Sequence, residues 1–82
     1  MLHELSLAQG LMGELERLAQ MHGAKRVLDV YVGIGSMSGI VVDSFVFGFN
    51  AIKTDLELTK DAVLHIDTMD GADLVLNRVE ME

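Results

Sequence analysis

The sequence predicts an α+β fold, a three-stranded, mainly antiparallel sheet with two helices packed on one face. Apolar residues recur at helical spacing in two stretches, and apolar and polar residues alternate in three others. These stretches follow one another in the order helix, strand, helix, strand, strand, which is typical of α+β domains. A chain of 82 residues has room for one domain.

The first helix is predicted over His3–His22. Its apolar stripe consists of Leu5, Ala8, Leu11, Met12, Leu15, Leu18 and Ala19. Gly23 follows as a residue that tolerates the left-handed conformation in which helices end, so His22 is expected to be a helix-end residue. Gly10 and Gly13 are unfavourable inside a helix, and we expect them to mark close packing against another element.

The first strand is predicted over Arg26–Ile34, and the second helix over Val42–Thr54. Phe45, Phe49 and Ile52 form the apolar stripe of that helix. The intervening glycines have the spacing G-x-G-x-x-x-G and no lysine at the position of a phosphate-binding loop. They therefore indicate a simple turn from strand to helix.

Two short strands, Ala62–Asp67 and Leu74–Met81, end the chain. Asp70-Gly71 lies between them and is a strong hairpin signal, so the two strands are expected to be neighbours. The sheet face away from the helices would carry Val27, Tyr31, Val63 and His65. That face is apolar enough to suggest a partner surface.

Composition excludes several classes of function. Six Lys and Arg against thirteen Asp and Glu give a net charge of −7, which argues against binding to nucleic acid or an anionic membrane. No apolar run approaches the ~20 residues of a membrane span. With no Cys there is no thiolate nucleophile or Cys-based zinc site, and a cytoplasmic location is expected. No acid–base or nucleophile constellation is evident, so the protein is not expected to be an enzyme.

The histidines are the candidate metal ligands. In Met1-Leu2-His3, the terminal amine, two deprotonated amides and the imidazole can place four nitrogens in a plane around Ni²⁺ or Cu²⁺. Zn²⁺ prefers tetrahedral sites and fits this chelate poorly. The alternative is that His3 has no role. His65 and Asp67 share one face of a strand and could form a hydrogen-bonded pair or contribute to a metal site.

Five stretches together resemble the HypA/HybF family, the nickel-incorporation proteins of hydrogenase maturation. They are the start Met-Leu-His-Glu-Leu-Ser-Leu-Ala-Gln, the junction His-Gly-Ala-Lys-Arg-Val at 22–27, Val-Gly-Ile-Gly-Ser-Met-Ser-Gly at 32–39, Asp-Ala-Val-Leu-His-Ile at 61–66, and 74–82. The resemblance covers nearly the whole chain.

The resemblance implies a nickel-binding domain that delivers Ni²⁺ to nickel–iron hydrogenase and, in some bacteria, to urease. By resemblance, His3 takes the role of the nickel-ligating histidine, assisted by the Met1 amine and nearby amides. Glu4 takes that of the adjacent glutamate, which is implicated in the site and in partner contacts. The implied partners are a maturation GTPase, the hydrogenase large subunit and a urease accessory protein.

The chain departs from the family pattern in two places. Leu2 stands between the initiator methionine and the histidine, and this spacing completes the four-nitrogen chelate, which would also take Cu²⁺ in vitro. The family's zinc domain, which carries two Cys-x-x-Cys pairs, is replaced by the junction at 68–73. We therefore expect a single nickel-binding domain over 1–82 without zinc, either a natural minimal form or a deletion of that domain.

The second hypothesis is an interaction module without metal function. It would form a homodimer, or dock on the GTPase, through the free sheet face and the exposed strand edges.

Overall fold

Two helices and three strands build the chain, and a computed structural model describes them over residues 4–82. The elements in chain order are α1 (Glu4–His22), β1 (Val27–Gly35), α2 (Val42–Lys53), β2 (Val63–Met69) and β3 (Leu74–Met81). The predicted element order and the α+β class are confirmed, and the boundaries shift by only a residue or two. The predicted start of α1 at His3 lies outside the described residues.

The three strands form one sheet in the order β2-β1-β3. Strand β1 pairs with β2 in parallel and with β3 in antiparallel orientation, so the sheet is mixed where a mainly antiparallel one was predicted. The reason is the position of α2 in the chain. The helix carries the chain back along the sheet after β1, and β2 then enters in the same direction as β1.

Residues 70–73 cross the end of β1, so the expectation that Asp70-Gly71 closes a hairpin between neighbouring strands is wrong. Three backbone hydrogen bonds hold this crossover segment. Gly35 N–H donates to the carbonyl of Asp73 at 2.8 Å, Ser36 N–H to that of Met69 at 2.7 Å, and Met37 N–H to that of Gly71 at 2.8 Å. Gly71 has φ +101°, a conformation that favours glycine in a crossover as much as in a hairpin.

Both helices pack on one face of the sheet and form the hydrophobic core with it. The buried residues of this core are Ala8, Leu11, Met12 and Leu15 of α1, Val27, Val30, Val32 and Ile34 of β1, Phe45 and Phe49 of α2, and Ala62. The side chains of Val30, Val32 and Ile34 in β1 are at most 2% exposed, as expected for a central strand covered by helices.

The close approach between the helices occurs at Gly48 of α2. A Cβ there would lie 3.6 Å from the Cα of Leu5 in α1, an ordinary packing distance. The prediction that Gly10 and Gly13 mark such packing is wrong. Nothing lies within 4 Å of the position that a Cβ would take at either residue, because both are on the exposed side of α1.

The end of α1 forms as predicted. Gly23 has φ +64°, and its N–H donates to the carbonyl of Gln20 at 3.4 Å. Ala24 N–H donates to the carbonyl of Ala19 at 2.8 Å. These two bonds are the Schellman arrangement, which satisfies carbonyls that the helix itself leaves unpaired.

The face of the sheet away from the helices, which we name the open face, carries Tyr31, Val63 and His65 as predicted. Val27 does not belong to it. A register shift between Val27 and Asp29 turns Val27 toward the core, where it is 1% exposed.

Candidate metal centre

Of the four predicted metal-site residues, the structure describes Glu4. Met1, Leu2 and His3 lie outside the described residues. Glu4 is the first residue of α1, so the two amide nitrogens of the predicted chelate, those of Leu2 and His3, precede the helix in the chain.

The Glu4 carboxylate contacts the start of the other helix. Its Oε2 accepts a hydrogen bond from the Val41 N–H at 3.2 Å. Val41 is the N-cap residue of α2, with extended backbone (φ −81°, ψ 105°), and its side chain forms no cap hydrogen bond. Glu4 therefore lies beside the N-terminal ends of both helices, where a negative charge is favoured.

Glu4 also borders a cleft of about 330 Å³ at this end of the molecule. The lining residues come from α1, from the segment before α2, and from the crossover and the start of β3: Glu4, Leu7, Ser38, Gly39, Ile40, Ala72, Asp73 and Leu74. Within the segment before α2, the Ser38 hydroxyl accepts a hydrogen bond from Ile40 N–H at 3.2 Å. The cleft thus combines two carboxylates and a hydroxyl with an apolar wall.

Within residues 4–82, no three His, Cys, Asp or Glu side chains come together as a group that could hold a metal ion. The carboxylates of Glu4 and Asp73 alone do not make such a group. In the described part of the chain, Glu4 is therefore the one predicted ligand that the structure can place.

A polar network occupies the open face of the sheet. His65 Nε2 lies 2.7 Å from Asp29 Oδ1, and the His65 and Tyr31 rings stack at a centroid distance of 4.4 Å with 11° between their planes. The Tyr31 hydroxyl donates to Glu80 Oε1 at 3.3 Å. Arg78 donates to Glu80 Oε2 at 2.7 Å, and its guanidinium carbon lies 5.7 Å from the Tyr31 ring centre.

This network corrects two expectations. The hydrogen-bond partner of His65 is Asp29 on the neighbouring strand, not Asp67, because β1 and β2 run parallel with Tyr31 opposite His65. The open face also carries the charged side chains Asp29, Arg78 and Glu80 beside the exposed Val63, where a largely apolar face was predicted. Arg78 and Glu80 were not identified from the sequence as part of this network. Their position beside Tyr31 and Asp29 follows once β3 is known to pair with β1.

The network raises the pKa of the Tyr31 phenol. Partial burial of the ring between its neighbours is the main cause, and the negative charges of Glu80 and Asp29 add to it, whereas Arg78 opposes them. The phenol therefore keeps its proton to a higher pH than a free phenol does, and it donates that proton in a hydrogen bond to Glu80.

The open-face network and Glu4 are separate sites. Glu4 belongs to α1, which packs on the core face of the sheet, and His65 projects from the opposite face. His65 is accordingly placed away from Glu4 and the cleft that it borders.

None of the described helices is both long and apolar enough to cross a membrane.

Residues 2–76 match the sequence profile of a family described as hydrogenase/urease nickel incorporation, metallochaperone, HypA. Hydrogenase maturation factors HypA are similar in sequence, among them those of three bacteria. The protein of Campylobacter jejuni is 38% identical over 66 residues, covering 80% of this chain and 58% of its own length. That of Geobacter metallireducens is 37% identical over 78 residues (95% and 58%). That of Albidiferax ferrireducens is 34% identical over 70 residues (85% and 61%). The chain thus spans about three fifths of the length of these relatives.

Solved structures share the fold, among them two solution structures. The solution structure of the nickel metallochaperone HypA from Helicobacter pylori superposes with a TM-score of 0.79 over 99% of this chain and 87% of that one, at 22% identity. A second solution structure of a HypA protein gives 0.71 over 93% of this chain and 70% of that one, at 26% identity. The resemblance in the five sequence stretches is confirmed, and the chain belongs to the HypA family of nickel-incorporation metallochaperones.

Proposed function

We propose that this chain is a nickel-binding metallochaperone domain that delivers Ni²⁺ for the maturation of nickel–iron hydrogenase. The match of residues 2–76 to the nickel-incorporation family carries this proposal, because the matched range includes His3 and Glu4. Metallochaperones bind and transfer an ion rather than catalyse a reaction. The proposed cargo is Ni²⁺, and we propose that the domain binds no zinc.

The proposed ligands are the Met1 amine, the amides of Leu2 and His3, and the His3 imidazole, with Glu4 next to them. Four nitrogens in one plane suit Ni²⁺, and Cu²⁺ would compete in vitro. Binding requires the two amides to lose their protons, so the affinity falls steeply as the pH is lowered.

The test is a Ni²⁺ titration followed by absorption spectroscopy. We expect the unmodified chain to give a planar Ni²⁺ spectrum, and we expect both His3→Ala and acetylation of the Met1 amine to abolish it. His22→Ala is the matched control, because His22 lies at the far end of α1 and should leave binding unchanged. Retained affinity in His3→Ala, or a purely octahedral spectrum, would count against the chelate.

The proposed partners are those that a nickel carrier for hydrogenase requires, a maturation GTPase and the hydrogenase large subunit. A urease accessory protein is a further proposed acceptor. The proposed location is the cytoplasm. The charge of −7 gives no reason to add nucleic acid or an anionic membrane as a partner.

A second candidate function is a protein-interaction module without metal. The observation in its favour is that both outer strands, β2 and β3, have one edge without a strand partner in the described sheet. Size-exclusion chromatography with and without Ni²⁺ separates the two functions when combined with calorimetry. A constant oligomer and no heat of Ni²⁺ binding would favour the interaction module.

A further inference from the structure

Helix α2 has no N-terminal cap of its own. Its N-cap residue is Val41, which has no side-chain acceptor, and the third helical residue is Ser44, where a capping box would have Glu or Gln. In a capping box, that Glu or Gln accepts the N–H of the N-cap residue. Here Glu4 of α1 does so instead, through the 3.2 Å hydrogen bond from Val41 N–H.

This cap is unusual because it comes from the other helix and from the residue next to the proposed metal ligands. Glu4 and Val41 are 37 positions apart in the chain. The carboxylate lies near the positive ends of two helix dipoles, both of which favour its negative charge. A divalent cation bound at the N-terminus would attract the same charge.

We propose that the Glu4 carboxylate is shared between α2 and the metal cargo, so that Ni²⁺ binding draws it away from Val41 and releases the start of α2. This inference rests on the proposed function. It assigns to Glu4 a switching role between a helix cap in the metal-free chain and a metal neighbour in the loaded one.

The released segment, residues 37–41, is accessible to a partner protein. Val41 and Met37 precede α2, and their side chains are 57% and 78% exposed. The segment is held from the other side by the bond from Met37 N–H to Gly71 and internally by that from Ile40 N–H to Ser38. Removal of the Glu4 contact therefore loosens the start of α2 and the segment before it, while the Met37 bond still holds the other end of that segment to the crossover.

Hydrogen exchange of the Val41 amide, followed by mass spectrometry of peptides covering 38–45, tests the proposal. In the metal-free chain, Glu4→Ala should speed exchange at Val41 by about five-fold, the usual effect of a lost cap. Glu4→Gln should retain most of the protection, because an amide oxygen also accepts the bond. Ni²⁺ should speed the same exchange in the unmodified chain and have no further effect in Glu4→Ala.

Two controls separate a local release from a general loss of stability. Exchange at Ala24, which is protected at the opposite end of α1, should stay constant throughout. Glu14→Ala removes an acidic residue from the same helix whose partner is Arg17, and should leave Val41 unchanged.

Several results would overturn the inference. If Ni²⁺ binds in a His3-dependent way and Val41 exchange stays constant or slows, the switch is wrong and the proposed function stands. If Glu4→Ala does not alter exchange in the metal-free chain, the cap is wrong. If no Ni²⁺ binds, the proposed function and the switch both fail.

Discussion

Tyr31 connects all three strands on the open face. Its ring stacks on His65 of β2, and its hydroxyl donates to Glu80 of β3, so one residue of the central strand contacts both neighbours. Cross-strand contacts of this kind stabilise a sheet most where the side chains lie directly opposite, as Tyr31 does to His65 and Arg78. The open face therefore has a structural role independent of metal binding.

The phenol of Tyr31 should titrate above its ordinary pKa of about 10. Burial and the charges of Glu80 and Asp29 raise its pKa, so Glu80→Gln should lower it toward the ordinary value. The chain has one Tyr and no Trp, so phenolate absorbance during a pH titration reports this residue alone. Glu57→Gln, at an exposed pair with Lys60, is the control and should not change the titration.

The same shift gives the pH dependence of stability its sign. The unfolded chain releases the phenol proton at lower pH than the folded chain does. The contribution of Tyr31 is therefore present below the ordinary phenol pKa and is lost as the pH rises through the folded value. A free energy of unfolding that rises over that alkaline range, as measured by urea denaturation, would contradict this assignment.

At the scale of elements, the contact between β1 and the crossover segment depends on Gly35. A Cβ at this position would lie 2.6 Å from the carbonyl carbon of Gly71 and 2.9 Å from the nitrogen of Ala72. Both are backbone atoms of the crossover segment, and the Gly71 carbonyl accepts a hydrogen bond from Met37 N–H at 2.8 Å, so they cannot move aside as a flexible side chain could. The crossover can approach β1 this closely because Gly35 has no Cβ. The same approach positions one wall of the cleft beside Glu4.

Gly35→Ala should lower the free energy of unfolding by about 2 kcal/mol or more, the usual cost of overpacking. Gly10→Ala is the matched control with the opposite sign. Gly10 lies on the exposed side of α1 with open space around it, so alanine should stabilise the fold by about 0.5–1 kcal/mol. Urea denaturation measures both changes. Equal effects of the two substitutions would show that the crossover does not press on β1.

For the whole molecule, local patterns predicted the elements but not their neighbours in the sheet. Helical and strand periodicity depends on residues a few positions apart, and the five elements followed from it. The pair Asp70-Gly71 has the same signature in a hairpin and in a crossover, since both need the conformation that Gly71 adopts. The sheet order was therefore not determined by that signal.

In the candidate site, too, local sequence predicted what depends on neighbouring residues, but not the contacts between elements. The proposed chelate depends on three consecutive residues, so the sequence alone could suggest it. The contact of Glu4 with Val41 arises from the packing of α1 on α2, and Val41 has no side-chain feature that predicts it. Likewise, the pairing of Asp29 with His65 required the parallel register of β1 and β2.

The stability of the whole fold depends on a small core, and two phenylalanines of α2 allow this to be measured. Phe49 is fully buried among residues of both helices and β1, whereas Phe47, two positions earlier, is 77% exposed. A domain of this size has an unfolding free energy of about 4–12 kcal/mol, and Phe→Ala in a core costs about 3–5 kcal/mol. Phe49→Ala should therefore remove a large share of the total.

Phe47→Ala deletes the same atoms from the same helix and should change the unfolding free energy by less than about 0.5 kcal/mol. Urea denaturation followed by circular dichroism compares the two variants under one condition. Because Phe49 packs in the core that holds α1 and α2 together, its loss should also weaken the contact between Glu4 and Val41. Similar losses in both variants would mean that Phe47 is buried by an interaction with a second molecule, which size-exclusion chromatography would then reveal.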